Sequence, residues 1–195
     1  EIKAGIDYFP LLDGKVGKNV RLGIRNAKGK KMEVTVKAIS QSKLNNLLYK
    51  RWVDRNRAFV DSISGGRIAY VHVKAMNSES FRTVYSELLS DKNRNRDAVI
   101  VDERHNGGGW LHDDLCTLLN GKQYQEFVPH GKVVGRDPFN KWVKPSCVMI
   151  CENDYSNGHG FPWVYKELGI GKLIGAPVAG TMTAVWWETL MDNTL

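Results

Sequence analysis

The residues that could do chemistry lie where an apolar run gives way to polar residues and then to a helix. Residues 148–151 have the length of a buried strand, residues 152–158 are rich in turn formers, and apolar residues follow at helical spacing from Trp163. Ser156 therefore lies at a strand-to-helix connection, beside the backbone N–H groups that a helix start leaves without partners. A serine there could attack a carbonyl carbon while those N–H groups hold the oxyanion. It could also simply cap the helix, which is the more common use of serine at this position.

A second strand-to-helix loop is built around three consecutive glycines. Residues 98–102 form a short apolar run, Glu-Arg-His-Asn-Gly-Gly-Gly follows at 103–109, and leucines continue at helical spacing from Leu111. Glycines allow positive φ and bring backbone N–H groups close to a ligand. Such a loop can bind a phosphate as well as an oxyanion, but the Gly-Lys-Ser/Thr of a nucleotide-binding loop does not follow.

Taken together, the two loops resemble those of the carboxy-terminal-processing serine peptidases, and in particular their tricorn-like branch. The matching residues are Arg-His-Asn-Gly-Gly-Gly at 104–109 and Asn-Asp-Tyr-Ser-Asn-Gly at 153–158. The segments at 65–72 and 169–175 are also similar to the family, and the resemblance runs from about Asp7 to the end of the chain.

The resemblance implies a role for each loop in peptide-bond hydrolysis by acyl transfer. Ser156 would be the nucleophile, and the N–H groups of Asn157 and of Gly108 or Gly109 would stabilise the oxyanion. The residues that would contact the substrate, a peptide or unfolded protein, are Gly107, His105, Gly180 and Thr181. The resemblance implies no metal or other cofactor, and it leaves a homo-oligomer open. It would place the protein in the cytoplasm if it is like tricorn, and in the periplasm or outside the cell if it is like the wider family.

A serine nucleophile also needs a base within hydrogen-bond reach. Among the five histidines, His159 lies one helical turn from Ser156, but its ring would point along the helix surface and away from an attack geometry. His105 lies beside the glycine loop and could contact the substrate. Lys166 and Lys172 are near in sequence, yet neither falls where the serine–lysine branch of the family has its lysine. The sequence therefore does not identify the base.

The resemblance suggests where the base comes from. In tricorn-like enzymes the catalytic histidine precedes a PDZ domain, and the glutamate that completes the site follows the serine helix; Glu188, in an expected final strand, does not match that position. We therefore expect both groups to lie outside this chain, and the chain to be a peptidase fragment that is inactive alone. Two other functions stay open: a non-catalytic peptide-binding scaffold, and a crotonase-type acyl-CoA enzyme with similar paired N–H groups. Against the acyl-CoA enzyme, no acidic pair follows the glycine loop where that chemistry needs one.

Strand and helix signals alternate through residues 65–195, which predicts an α/β catalytic-type domain with helices on a largely parallel sheet. The resemblance implies a crotonase/ClpP-like β-α repeat. The pattern of residues 1–40 predicts a β hairpin with one buried face, and this segment resembles the last part of a PDZ domain. The pattern of residues 41–64 predicts an amphipathic connector helix. Residues 129–145 predict a loop.

Composition excludes several other classes of protein. The net charge is +7, but the basic residues are scattered without interleaved aromatics, so we expect no nucleic-acid binding. No apolar run is long enough to span a bilayer. The three cysteines, Cys116, Cys147 and Cys151, are expected to be free thiols.

Overall fold

The computed structural model describes residues 2–185 and 188–192. The backbone divides into two compact units, Glu1–Asp54 and Arg55–Leu195, and the division lies inside helix α1, Gln41–Ile63. None of the helices in the described part of the chain is long and apolar enough to cross a membrane.

The first unit contains a two-stranded hairpin. Strands β1 (Asn19–Arg25) and β2 (Lys31–Lys37) pair antiparallel, and their register brings apolar residues together on one face, as in the Leu22–Val34 pair. The prediction that this face is buried is wrong: all residues of the two strands are exposed or half-buried, and Ile24 is 40% exposed. An isolated two-stranded ribbon cannot bury its own face, because burial requires a further strand or a helix packed over it.

The second unit is an α/β domain around a four-stranded sheet. The strands lie in the order β3-β4-β7-β8, and all neighbouring pairs are parallel. The fold class predicted from sequence, α/β with a parallel sheet, is confirmed. Its elements are β3 (Ile68–His72), α2 (Ser78–Leu88), α3 (Asp91–Arg94), β4 (Ala98–Asp102), α4 (His112–Leu119), β5 (Gln125–Phe127), β6 (Gly135–Asp137), β7 (Ser146–Ile150), α5 (Asn157–Glu167) and β8 (Lys172–Gly175).

Helices cover the sheet and bury its apolar runs. Val101 on β4 and Val148 on β7 are fully buried, as are Phe161 and Tyr165 on α5. Because β4 and β7 are central strands, their runs are continuously apolar rather than alternating. This buried sheet fixes the positions of the two loops that leave its carboxyl edge, after β4 and after β7.

The segment predicted as a loop at residues 129–145 is partly ordered against the core. Strands β5 and β6 form a short antiparallel ribbon, and Trp142 beyond it is 2% exposed. The N–H of Trp142 donates to the C=O of Leu118 at 2.8 Å. A tryptophan within a polar stretch was the signal that part of this segment packs on the domain.

The carboxy-terminal part differs from the prediction in one respect. Residues 181–185 and 188–192, the latter including Glu188, contain no strand, and residues 186–187 lie outside the described residues. An apolar run becomes a strand only where a neighbour pairs with its backbone N–H and C=O groups. No such pairing occurs in these two described segments.

Candidate active site

Ser156 immediately precedes the first residue of helix α5. Its backbone has φ +52° and ψ −118°, a conformation that non-glycine residues rarely adopt, and its side chain makes no capping hydrogen bond. Such a backbone conformation lowers the free energy of unfolding by on the order of 1–3 kcal/mol, and it occurs only where the surrounding structure imposes it. The structure therefore gives no support to the interpretation of Ser156 as a helix cap.

The glycine loop packs directly on Ser156. Gly108 has φ +93°, and a Cβ placed there would lie 2.7 Å from Ser156 Cβ and 2.8 Å from the C=O oxygen of Tyr155. No side chain fits in that space, so this approach of the two loops requires glycine at position 108. The two loops identified in the sequence meet at this contact.

Asn106, which is fully buried, organises the start of the glycine loop. Its Nδ2 donates to the C=O of Val73 at 2.9 Å, and its Oδ1 accepts from the N–H of Gly108 at 2.9 Å. Its own N–H donates to Oδ1 of Asp154 at 3.1 Å, and its C=O accepts from the N–H of Tyr155 at 2.9 Å. Sequence reasoning gave no role to Asn106 or Asp154, although an asparagine before a glycine run is a typical turn-forming signal.

The middle of the loop is fastened to the segment after β3. Met76 forms an isolated parallel bridge with Gly109, the N–H of Met76 donates to Gly108 O at 3.0 Å, and the N–H of Trp110 donates to Met76 O at 2.7 Å. Gly109 has φ +134°, and a Cβ there would collide with the C=O of Met76. Both Gly108 and Gly109 are therefore required by the backbone path.

The hydrogen bonds distinguish between the possible oxyanion donors. The N–H of Gly108 is already bound to Asn106 Oδ1. By contrast, the N–H groups of Gly109 and Asn157 have no acceptor among the residues that the structure describes. The N–H groups of Gly109 and Asn157 are therefore the ones available to bind an oxyanion.

The other residues implied by the resemblance have different surroundings. The hydroxyl of Thr181 accepts from the N–H of Ser156 at 3.3 Å, and thus supports the backbone of the serine. Gly180 is exposed and a Cβ there would meet nothing within 4 Å, while Gly107 is also exposed. His105, with φ +68°, lies 3.5 Å from Asn153 Nδ2 and 3.8 Å from Cys151 Sγ through its Nδ1.

The histidines do not supply a base in this arrangement. Within residues 2–185 and 188–192, no side chain forms a hydrogen bond with the hydroxyl of Ser156. His159 donates its backbone N–H to the C=O of Ser156, and its buried ring Nδ1 has no hydrogen-bond partner among the residues that the structure describes. In the same described ranges, no group of His, Cys, Asp and Glu side chains could hold a metal ion.

The strand end before the loop carries a buried ion pair. Asp102 receives two hydrogen bonds from the Arg104 guanidinium, at 2.9 and 2.6 Å, and one from the Tyr70 hydroxyl at 2.6 Å. Burial alone would raise the pKa of Asp102, but the hydrogen bonds from Arg104 and Tyr70 outweigh it and hold that pKa below its ordinary value. This charged group fixes the point at which the chain leaves β4.

Glu103 is a buried carboxyl that the site does not use. It is fully buried, and neither of its oxygens has a hydrogen-bond partner among the described residues. Burial first, and then the charges of Asp154 and Asp102, raise the pKa of Glu103 well above its ordinary value. Above the ordinary glutamate pKa, the unfolded chain releases a proton that the folded chain keeps. The free energy of unfolding therefore falls as the pH rises above that value.

We expect the substitution Glu103→Met to stabilise the domain, because it removes an unsatisfied buried group whose cost is about 1–3 kcal/mol. The gain in the free energy of unfolding, measured by urea denaturation, should be larger at pH 8 than at pH 5. Glu152→Met, at an exposed position shortly after β7, serves as the control. A loss of stability at both pH values would show that Glu103 has a partner that the structure does not reveal.

The comparisons with known proteins agree on one kind of enzyme. The chain is 26% identical over its whole length to the tricorn protease of Thermoplasma acidophilum and covers 18% of that protein. It is 28% identical to the tricorn protease homolog of Saccharolobus solfataricus, over 85% of this chain and 15% of that protein. The crystal structure of the tricorn protease matches 98% of this chain and 18% of its own, with a TM-score of 0.80 and 26% identity.

The chain thus spans less than a fifth of the length of these relatives. The sequence profile of peptidase family S41 matches residues 67–195. That range contains the parallel sheet, the glycine loop and Ser156. The chain belongs to peptidase family S41, a family of serine-type peptidases.

Proposed function

We propose that these residues carry the nucleophile and the oxyanion site of a serine peptidase that hydrolyses peptide bonds by acyl transfer. Ser156 Oγ attacks the carbonyl carbon of the scissile bond, and the N–H groups of Asn157 and Gly109 stabilise the oxyanion. The intermediate then breaks the peptide C–N bond, and the new amino terminus leaves with the proton that Ser156 gave to the base. Water hydrolyses the resulting acyl-enzyme, which releases the carboxylic acid and restores the Ser156 hydroxyl. Of the two glycines that the sequence left open, Gly109 is the second donor that we propose, because the N–H of Gly108 is bound to Asn106.

The observation that carries this proposal is the junction of the two loops. A serine in a rare backbone conformation, with a hydroxyl that caps nothing, lies against a loop that only glycine can form. Two backbone N–H groups flank it, those of Gly109 and Asn157, and neither has an acceptor in the described part of the chain. This combination is costly in stability and is typical of a site where the geometry serves catalysis.

We propose that the base and the group that orients it come from residues outside this 195-residue chain. The support is that no described side chain forms a hydrogen bond with the Ser156 hydroxyl. A serine hydroxyl without a base is a weak nucleophile at neutral pH. Oxyanion donors and substrate binding alone retain roughly 10³- to 10⁴-fold acceleration over water in well-studied serine proteases.

The test compares the full-length gene product with the isolated 195-residue polypeptide on a panel of fluorogenic peptides. We expect the full-length product to cleave peptides, and the isolated polypeptide to show no measurable hydrolysis while still being folded by circular dichroism. If the 195-residue polypeptide cleaves peptides at the full rate, the base lies within it. If neither cleaves any peptide but both bind peptides, the non-catalytic scaffold is the better description.

The finer description of the fold is also a proposal. We propose that residues 1–40 are the end of a PDZ-like domain, residues 41–64 a connector and residues 65–195 a crotonase/ClpP-like catalytic domain. The resemblance of residues 7–17 and the β1–β2 hairpin support the first assignment. The β-α order around the parallel sheet, with both loops at its carboxyl edge, supports the last.

A further inference from the structure

The side chain of Asn157 joins the two halves of the candidate site. It occupies the first position of α5 and is 1% exposed. Its Oδ1 accepts hydrogen bonds from the N–H of Leu111 at 2.7 Å and from the N–H of His112 at 3.0 Å. These two N–H groups belong to the start of α4, directly after the glycine loop. One side chain therefore ties the helix that follows Ser156 to the end of that loop.

The same bonds determine which nitrogen of His112 carries the proton. Because the amide oxygen of Asn157 faces two N–H donors, its Nδ2 occupies the remaining position, 2.7 Å from Nδ1 of His112. An amide nitrogen can only donate, so Nδ1 of His112 must accept, and a neutral ring then has its proton on Nε2. The ring also packs edge-on against Trp110, with 5.6 Å between the centroids.

The glycine loop is thus held at both ends by asparagine side chains. The Asn106 side chain fixes its start to the segment after β3, and the Asn106 backbone fixes it to the connection before α5. Asn157 fixes its end to α5 itself. The two unoccupied N–H groups belong to these separate segments, one to Gly109 and one to Asn157, so hydrogen bonds between the segments set the distance between the donors.

We propose that the Asn157 carboxamide, held by Nδ1 of His112, is a positioning group for peptide-bond hydrolysis, and that it keeps the Gly109 and Asn157 N–H groups at the separation that an oxyanion requires. This inference rests on the proposed function of Ser156. A displacement of about 1 Å in a catalytic group can lower a rate by on the order of 10²-fold. Because the oxyanion forms in acylation and in deacylation but not in the bound substrate, the effect belongs in kcat and not in KM.

The first test uses two substitutions at position 157 in the full-length gene product. Asn157→Asp keeps an acceptor for the N–H groups of Leu111 and His112, but it replaces the amide donor to the His112 ring with a carboxylate oxygen and adds a negative charge beside the oxyanion donors. Asn157→Ala removes all three bonds. We expect kcat to fall by about 10-fold for Asp and by about 100-fold for Ala, with KM changed less than about threefold. Asn140→Asp, at an exposed position, should leave both constants unchanged.

The second test changes His112, the acceptor of the hydrogen bond from Asn157 Nδ2. His112→Ala leaves the Asn157 amide donor without its acceptor, and should lower kcat by about 10-fold. His112→Asn can place a side-chain oxygen close to the position of Nδ1, and should restore most of the lost kcat. This pair decides the question even if Asn157→Ala does not fold.

The outcomes separate this inference from the function on which it rests. If the wild-type protein cleaves no peptide, the proposed function fails and the inference with it. If the wild-type protein is active while the His112→Ala and Asn157→Asp variants keep its kcat, the inference alone is overturned. A rise in KM at constant kcat, or a lowered melting temperature with unchanged kcat per folded molecule, would overturn it as well.

Discussion

Replacing Ser156 with alanine in the full-length gene product is expected to lower the rate of peptide hydrolysis by roughly 10⁴- to 10⁶-fold, the loss seen when a serine peptidase loses its nucleophile. The reason is that alanine has no atom that can form the acyl bond. The melting temperature should stay the same or rise, because the hydroxyl makes no capping hydrogen bond. Initial rates on a fluorogenic peptide, with circular dichroism for folding, measure both effects.

The control for this prediction is Ser86→Ala on the exposed face of α2. It removes a serine hydroxyl from the same domain, and the rate should stay at the wild-type value. A Ser156→Ala variant that kept more than about a tenth of the wild-type rate would exclude Ser156 as the nucleophile. Such a loss would correspond to less than about 1.4 kcal/mol in the activation barrier, which is too little for the loss of the attacking atom.

Replacing Gly108 with alanine is expected to have the second largest effect. The new Cβ would lie 2.7 Å from Ser156 Cβ and 2.8 Å from the C=O oxygen of Tyr155, both closer than such contacts allow, and φ of +93° is unfavourable for alanine. The loop must therefore move away from Ser156 and carry the Gly109 N–H with it. We expect kcat to fall by about 10²- to 10³-fold, as when an oxyanion donor is lost.

A second glycine provides a matched control for backbone strain. Gly131 has a similar positive φ of +77°, but a Cβ there would meet nothing within 4 Å. Gly131→Ala should lower stability by about 1 kcal/mol and leave kcat unchanged. Equal loss of activity in the two variants would indicate general strain and not displacement of the loop.

The sheet and both loops could be predicted from sequence because their signals are local. The runs at 98–102 and 148–151 are apolar and short, and the glycines and turn formers after them mark the ends of the strands. Parallel strands bring such ends to one edge of a sheet, so the meeting of Ser156 with the glycine loop followed from the topology.

The preference for Gly109 over Gly108 as the proposed donor could not be predicted in the same way. It depends on the Asn106 side chain, which bonds the N–H of Gly108 and the C=O of Val73, 33 residues away. The Asn157–His112 bond likewise joins residues 45 positions apart. Periodicity and composition carry no information on such pairings, because they arise only once the sheet has brought the loops together.

The exposed face of the hairpin in residues 19–37 shows a second limit of sequence patterns. The alternation around Leu22 and Val34 correctly predicts which side chains share a face. It does not predict burial, since a face is buried only if another element packs over it. Trp142 shows the opposite case: it lies in a long polar segment whose composition predicts exposure, yet its side chain is buried in the core.

The most direct test of the central claim is covalent labelling of the full-length gene product with a fluorophosphonate, a reagent that phosphonylates activated serine hydroxyls. Peptide mapping by mass spectrometry then locates the adduct. The proposed mechanism predicts a single stoichiometric adduct on the peptide that contains Ser156, formed at the same rate as peptidase activity is lost, and no adduct in the Ser156→Ala variant. An active enzyme that is modified at another serine, or that keeps its activity with Ser156 fully modified, would contradict the account.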